Sequence, residues 1–446
     1  MANSYLSRTP SGAGNRKTFT ISAWVKRSKL DDTGGGQQDI IACSTGATTF
    51  WILYFASNDD SLVVYEAESG ATKMYVDFSA STAPKLRDVN GWYHIVVAVD
   101  TTQGTASDRL KLWVNNQQLT PSNSTYPTQN YDSLFNTAIR HDIGAQGSGF
   151  SAGTNTFDGY MTHVVLVDGT ALTPSSFGQA DSTTGQWKFK GPSGVTFGTN
   201  GFHLKFENSG NLGADSAGSN NFTVNGDLKQ ALDTPSNIYC TINPLHTINS
   251  DTTLSNGNTR YDGLSGSPYD AACGGTLGFN KGKWYWEAKW GLTGSGNQAA
   301  FIGIVDTEIP ILQGGNVSKG VTYRPDSGDV RKDNSVVSSG NTGSANDIYG
   351  FAFDMDAGTL KLHKNGTYFN SGNAVVTGID LTKTYVPYIG PNGGTTQSNI
   401  YMNWGNGFFG TTAISSAGSN GNGSLFEYDV PSGYYALNTK NINTYG

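Results

Sequence analysis

Trp92-Tyr-His-Ile-Val-Val-Ala-Val-Asp100, a short insert and Leu110-Lys-Leu-Trp-Val-Asn-Asn116 make a phrase that this chain uses twice. The second copy reads Ile348-Tyr-Gly-Phe-Ala-Phe-Asp-Met-Asp356, a tight turn, then Leu360-Lys-Leu-His-Lys-Asn-Gly366. Each copy is an apolar run ending in Asp, a turn, a Leu-Lys-Leu strand and an Asn-Asn or Asn-Gly corner. Asn and Gly tolerate the positive φ that a tight hairpin needs, so both corners predict hairpins. A phrase repeated at this separation predicts two related domains, not a short-period solenoid. The expected architecture is a pair of β-sandwiches.

Working outward, the rest of the chain also reads as strands and turns. Thr18-Phe-Thr-Ile-Ser-Ala-Trp-Val-Lys26 puts Phe19, Ile21, Ala23 and Val25 on one face and Trp24 on the other. Thr49-Phe-Trp-Ile-Leu-Tyr-Phe55 and Ser61-Leu-Val-Val-Tyr65 follow, with Asp59-Asp60 as a hairpin corner, and the run from Gly159 to Val167 is fenced by Asp-Gly at both ends. In Lys281-Gly-Lys-Trp-Tyr-Trp-Glu-Ala-Lys-Trp290 the residues Trp284, Trp286, Ala288 and Trp290 share a face, read as sandwich core. Gly and turn pairs interrupt every candidate helix of four turns.

Composition agrees. The 446 residues suffice for two or three domains, and only 14% are charged while aromatics reach 12% and Gly occupies 58 positions. That balance fits an all-β protein with many turns and not a disordered chain. A net charge of −7 with no Lys/Arg run argues against a nucleic-acid partner. No stretch approaches the roughly 18 apolar residues of a membrane span, so no membrane insertion is expected. The N-terminal residues lack the charged and apolar regions of a secretory signal, which predicts synthesis in a cytoplasm and any exit by a signal-independent route. Cys43, Cys240 and Cys273 give neither a disulfide framework nor a metal spacing; buried free thiols are expected, a Cys240–Cys273 bridge being the alternative.

Three resemblances add to this reading. The Phe19–Lys26 strand, the Trp92–Asn116 hairpin and Phe157-Asp-Gly-Tyr followed by Ala171-Leu-Thr-Pro resemble a laminin G-like (concanavalin A-like) domain. Thr162-His163 stands where members of that family often carry an acidic pair, so no calcium role is carried to that strand. The Lys281–Trp290 stretch, Phe301-Ile-Gly-Ile-Val305, the Asp347–Gly366 hairpin and Val386-Pro-Tyr-Ile-Gly390 leading to Asn399–Gly405 resemble a SPRY domain, another concanavalin-like sandwich. The phrases Thr9-Pro-Ser-Gly, Asp233-Thr-Pro-Ser-Asn and Tyr434-Tyr-Ala-Leu-Asn-Thr-Lys-Asn441 resemble those of tail-fibre-like structural proteins of aquatic bacteriophages. The expected fold is all-β: two concanavalin A-like jelly-roll sandwiches in tandem, at 1–232 and 233–410, closed by a short β extension over 411–446. The Leu212–Gly226 phrase commonly opens a laminin G-like domain; here it follows one, which predicts that 200–226 returns to the first domain's sheets as a permuted strand pair.

For chemistry, a sandwich glycosidase would need two carboxylates on one face, a Glu-x-Asp-x-Glu type run. The chain has Glu66-x-Glu68 and Asp354-x-Asp356 but no such triple run, and both pairs are read as solvated turn carboxylates. The six His residues lie singly, with no nucleophile elbow, and His94 and His163 read as structural. No catalytic residue is assigned and no cofactor is expected, apart from calcium as a candidate ligand of Asp158, Asp168 or Asp215. Binding is the stronger theme. The loop Pro121–Asp132 carries Tyr126 and Tyr131 among Ser, Thr, Asn and Gln, and Tyr261-Asp262, Tyr269-Asp270 and Tyr323-Arg324 look similar. Tyr126, Tyr131, Tyr261, Tyr269 and Tyr323 are therefore the candidate glycan- or partner-binding residues, against the plainer reading that each lids the core rim.

The favoured function is a non-catalytic phage virion surface protein, in a tail fibre or on the capsid. Its expected partners are host-surface carbohydrate, neighbouring virion proteins and further copies of itself. The alternatives are a free bacterial lectin-like adhesin and a polysaccharide hydrolase.

Overall fold

The computed structural model describes residues 4–30, 36–57, 59–79, 85–146, 155–247, 252–263, 272–291, 300–308, 317–391 and 398–446. The chain forms two units, Met1–Gln230 and Ala231–Gly446. Each is a β-sandwich built of antiparallel strand ladders.

In the first unit one sheet runs, in spatial order, Asn123–Thr125, Ala71–Asp77, Leu62–Glu68, Thr49–Phe55, Gln38–Gly46, His141–Ile143, Tyr5–Arg8 and Thr223–Asn225. The other runs Phe202–Leu204, Gly159–Asp168, Thr18–Arg27, Tyr93–Asp100, Leu110–Val114 and Gln117–Gln118. Alternate residues of Thr18–Arg27 point inward, so Phe19, Ile21, Ala23 and Val25 join one core with Trp51, Leu53 and Phe55 of the facing sheet. Phe135 closes that core, stacked on Phe19 at 5.1 Å and tilted against Trp51 at 4.5 Å. Residues 200–226 supply an edge strand to each sheet: Phe202–Leu204 pairs with Gly159–Asp168, and Thr223–Asn225 with Tyr5–Arg8.

In the second unit the sheets run Ile242–Thr247, Cys273–Gly275, Tyr385–Pro391, Ala300–Asp306, Gly320–Arg324, Asp329–Lys332, Ser335–Ser338, and Thr252–Ser255, Arg260–Gly263, Ser398–Asn403, Lys283–Gly291, Ile348–Asp354, Thr359–Lys364, Thr367–Tyr368. Trp284, Trp286, Ala288 and Trp290 all lie in its core. The repeated phrase folds alike in both units. Val114 pairs with Gln117 and Lys364 with Thr367, leaving two-residue loops at Asn115-Asn116 and Asn365-Gly366. All four loop residues have positive φ (47°, 70°, 49° and 80°), as the type I′ turn requires. In each loop the first Asn also accepts, through its side chain, a backbone N–H of the neighbouring paired strand, from His94 and Ile348 respectively.

The tail departs from the expected β extension. It holds only two-residue strands and the α-helix Thr439–Tyr445, whose Asn438 cap accepts the Asn441 N–H at 2.8 Å. Phe426, Val430, Tyr434 and Ala436 pack on Tyr285 and Ala352, so the tail covers the outer face of the second unit's Trp-rich sheet. No helix of the described residues is long and apolar enough to cross a membrane. Cys43, Cys240 and Cys273 are all buried thiols with no disulfide among them.

Candidate functional site

The outer face of the first unit's eight-stranded sheet carries the positions that alternate with its core. Phe50, Ile52, Ala42 and Ala67 make a small apolar patch there, flanked by half-buried Tyr54 and Tyr65. Beside it a cavity of about 350 Å³ is walled by Tyr54 and Tyr75. Sheet register assembles it: Tyr54 lies opposite Val63, and Val63 opposite Asp77, in one row across three strands. Tyr75, two residues before Asp77, shares its face and packs edge-on against Tyr65 with ring centres 5.2 Å apart.

Polar groups ring these aromatics. Asp59, Asp77, Ser57, Ser61, Ser79 and Gln37 join Ala56 and Val63 in the lining, which contains no Lys or Arg among the described residues. Asp77 accepts the hydroxyls of Ser79 at 2.9 Å and Ser61 at 3.4 Å. Asp59 accepts the Ser61 backbone N–H at 3.1 Å. Behind the wall lies Asp39, register partner of Tyr54 and fully buried. Its Oδ1 accepts the Gln37 amide at 2.9 Å, while its Oδ2 has no partner. Burial pushes the Asp39 carboxyl up to about 7 against that one hydrogen bond. The Tyr75 hydroxyl is raised by burial and by Asp77, Tyr65 and Asp59. Burial, Tyr75, Asp39 and Asp77 together raise Tyr54.

The corner carrying Asp59 is anchored from beneath. Asp60 takes positive φ (59°) and meets Arg27 Nη2 at 2.6 Å, both side chains being essentially unexposed. Arg27 also donates to the Leu86 carbonyl at 3.0 Å and lies 4.1 Å over the Phe55 ring.

The loop candidates fare differently. Tyr126 packs against the core. Tyr131 donates to buried Glu66 at 2.8 Å, alongside Ser133 Oγ at 2.7 Å and the Leu134 N–H at 2.6 Å, and so acts as a strut. Glu66 is fully buried, which corrects its reading as a solvated turn carboxylate. Tyr261 and Tyr323 are corrected too. Both have 0% exposure, because they occupy inward positions of the strands Arg260–Gly263 and Gly320–Arg324. Tyr269 lies outside the described residues. The proposed calcium ligands are not brought together. Asp158 pairs with Lys29 at 3.6 Å, Asp168 binds Asn15, Asn136 and Asn200, and Asp215 caps the backbone at His203, Ala217 and Asn220. Among the described residues no group of three or more His, Cys, Asp or Glu is placed to hold a metal. Asp354 and Asp356 close a turn, accepting N–H groups of Ala357 and Gly282.

Two histidine networks occupy outer sheet faces. In the first unit the Trp187 indole donates to His94 Nδ1 at 2.9 Å, so Nε2 carries the proton toward Ser22 Oγ, 2.8 Å away. In the second, the Gly366 N–H donates to His363 Nδ1, placing the Nε2 proton toward the Tyr285 hydroxyl at 2.8 Å. Tyr285 in turn donates to Glu287, which also accepts the Glu427 and Tyr428 N–H groups at 2.8 Å each and so clasps the tail. Burial pushes His94 down to about 3 and His363 to about 4, so both stay neutral at ordinary pH.

Tyr54 and Tyr75 lie on strands, not in the loops where the sequence reading placed the candidate site. Their signal was available: Tyr54, Tyr65 and Tyr75 are aromatic at outward, period-two positions of three successive strands.

Both units are all-β sandwiches, and the first carries the cavity. Residues 2–178 match the Laminin_G_3 family model of the concanavalin A-like lectin/glucanases superfamily. Among solved structures, the SPRY domain of human HERC1 is similar at 16% identity, covering 36% of this chain and 96% of that one, with a TM-score of 0.31. The TRIM65 PSpry domain is similar at 15% identity over 37% of this chain and 91% of that one, TM-score 0.29. Stonustoxin is similar at 19% identity over 37% of this chain and 28% of that one, TM-score 0.28. Comparison with the curated proteins found no match.

Proposed function

We propose that this chain is a non-catalytic binding protein of a bacteriophage virion surface, in a tail fibre or on the capsid, whose first unit takes a host-surface glycan. The observation that carries the glycan reading is the Tyr54–Tyr75 cavity: two aromatic rings joined by carboxylate and hydroxyl groups in a space of about 350 Å³. Ligand sites combine apolar walls with a few convergent polar groups in this way. The absence of catalysis rests on geometry. Asp39, lifted by burial, has no exposed surface, so its proton cannot reach a glycosidic oxygen. Asp59 and Asp77 are held by serine donors. The virion reading rests on the tail-fibre-like phrases at Thr9, Asp233 and Tyr434. Neighbouring virion proteins and further copies of the chain are its proposed partners, and a symmetric oligomer would turn weak sugar affinity into avidity.

Immunogold labelling of particles with antibody to this chain tests the location. Gold on the shell makes it a capsid component, and gold at tail tips makes it a receptor-binding part. Absence of gold from every particle overturns the virion reading in favour of a free lectin-like adhesin. Reducing-sugar release from a host polysaccharide would overturn the non-catalytic assignment.

A further inference from the structure

The charge and layout of the cavity say which glycans fit it. Asp59 and Asp77 line the wall, and no described lining residue is cationic. A carboxylate accepts hydrogen bonds and donates none when ionised, so this wall offers acceptors to sugar hydroxyls and repulsion to sugar carboxylates or sulfates. The serine hydroxyls at 61 and 79 are turned onto Asp77, at 3.4 and 2.9 Å, which leaves the acceptor character dominant.

The aromatic surface also exceeds one ring. Tyr75 belongs both to the cavity and to a cross-strand row in which Tyr65 follows at 5.2 Å and Phe50 at 4.9 Å beyond it. Phe50 is buried and props Tyr65, which stays half-exposed. Neighbouring strands stand ~4.8 Å apart, so successive aromatics are spaced on the scale of one sugar ring. A ligand seated against Tyr75 can continue onto Tyr65.

We infer that the cavity takes a neutral oligosaccharide, read through its hydroxyl donors and extending along Tyr75 and Tyr65, and that it rejects uronic-acid and sulfated glycans. This rests on the glycan reading of the site. The test uses the full-length chain in calorimetric titrations against neutral oligosaccharides of one to four rings and against uronic-acid and sulfated oligosaccharides of the same lengths. Circular dichroism checks the fold of each variant. A neutral tetrasaccharide should bind, and Tyr75→Ala should weaken it at least about tenfold. Tyr65→Ala should weaken the tetrasaccharide but leave the monosaccharide unchanged. Asp77→Asn, which keeps the shape and removes a charge, should lower neutral affinity and reduce the penalty against uronic acids. Binding of an anionic oligosaccharide that Tyr75→Ala abolishes would overturn this inference while leaving the glycan reading intact. Failure of every glycan to bind the parent chain would overturn the glycan reading itself.

Discussion

Asp39 has no exposed surface and one oxygen without a partner, so its ionisation works against the fold. Its carboxyl lies at about 7 in the native chain against 3.8 for the free group. Between those values the native state holds a proton that the unfolded state has released, so stability falls as pH rises from about 4 to about 7 and then levels. Asp39→Asn should be more stable than the parent at pH 8, by on the order of 2 kcal/mol, with the difference closing near pH 4. Thermal unfolding across that range checks this; parallel pH profiles for the two proteins would refute it. Arg27 poses the opposite case, a buried cation that depends on Asp60. Asp60→Asn retains a side chain suited to positive φ yet leaves Arg27 uncompensated, and should cost about 3–5 kcal/mol in urea unfolding. Adding Arg27→Met should recover a large part of that loss, because the unpaired charge goes with it. Neither residue announced itself in sequence. Asp60 read only as a turn residue, and its buried partner is Arg27, remote in the chain and itself bonded to the Leu86 carbonyl.

The hairpins are where local sequence speaks most directly. Asn115-Asn116 and Asn365-Gly366 adopt positive φ because their own side chains permit it, and both were legible at once. Asn116→Val places a β-branched residue at φ 70° and should cost about 1–2 kcal/mol, read as a lower chemical-denaturation midpoint. An unchanged midpoint would mean that the loop is not under this constraint. A second element-scale test lies under the tail. A methyl group at Gly350 would stand 1.9 Å from His363 Nε2, so Gly350→Ala must displace that ring from Tyr285. It should loosen the tail, seen as faster amide exchange at Glu427 and Tyr428, whose N–H groups bind Glu287. In the strand Ala71–Asp77, Thr72 and Lys73 blur the alternation, and it is pairing with Leu62–Glu68 on one side and Asn123–Thr125 on the other that makes it a strand. Tyr261 and Tyr323 misled for a related reason. Each neighbours a polar residue typical of turns, Asp262 or Arg324, yet lies on a strand with its ring turned to the core.

Over the whole molecule, the division into Met1–Gln230 and Ala231–Gly446 makes a truncation series informative. Residues 1–230 should fold alone, whereas 1–199 should not, because the shorter piece loses an edge strand from each sheet, together with core residues Phe202, Leu204 and Phe222. Cooperative unfolding of 1–199 would show those strands to be dispensable. The sequence by itself determined the all-β class, the two sandwiches and the twin hairpins, since alternation and turn chemistry are written within a few consecutive residues. Only the tertiary structure decided the rest: the burial of Glu66, Tyr261 and Tyr323, the clasping of the tail by Glu287, and the meeting of Tyr54, Tyr75 and Asp77. Those outcomes depend on register between strands distant in the chain, and which side chains a register brings together is not encoded in any one strand.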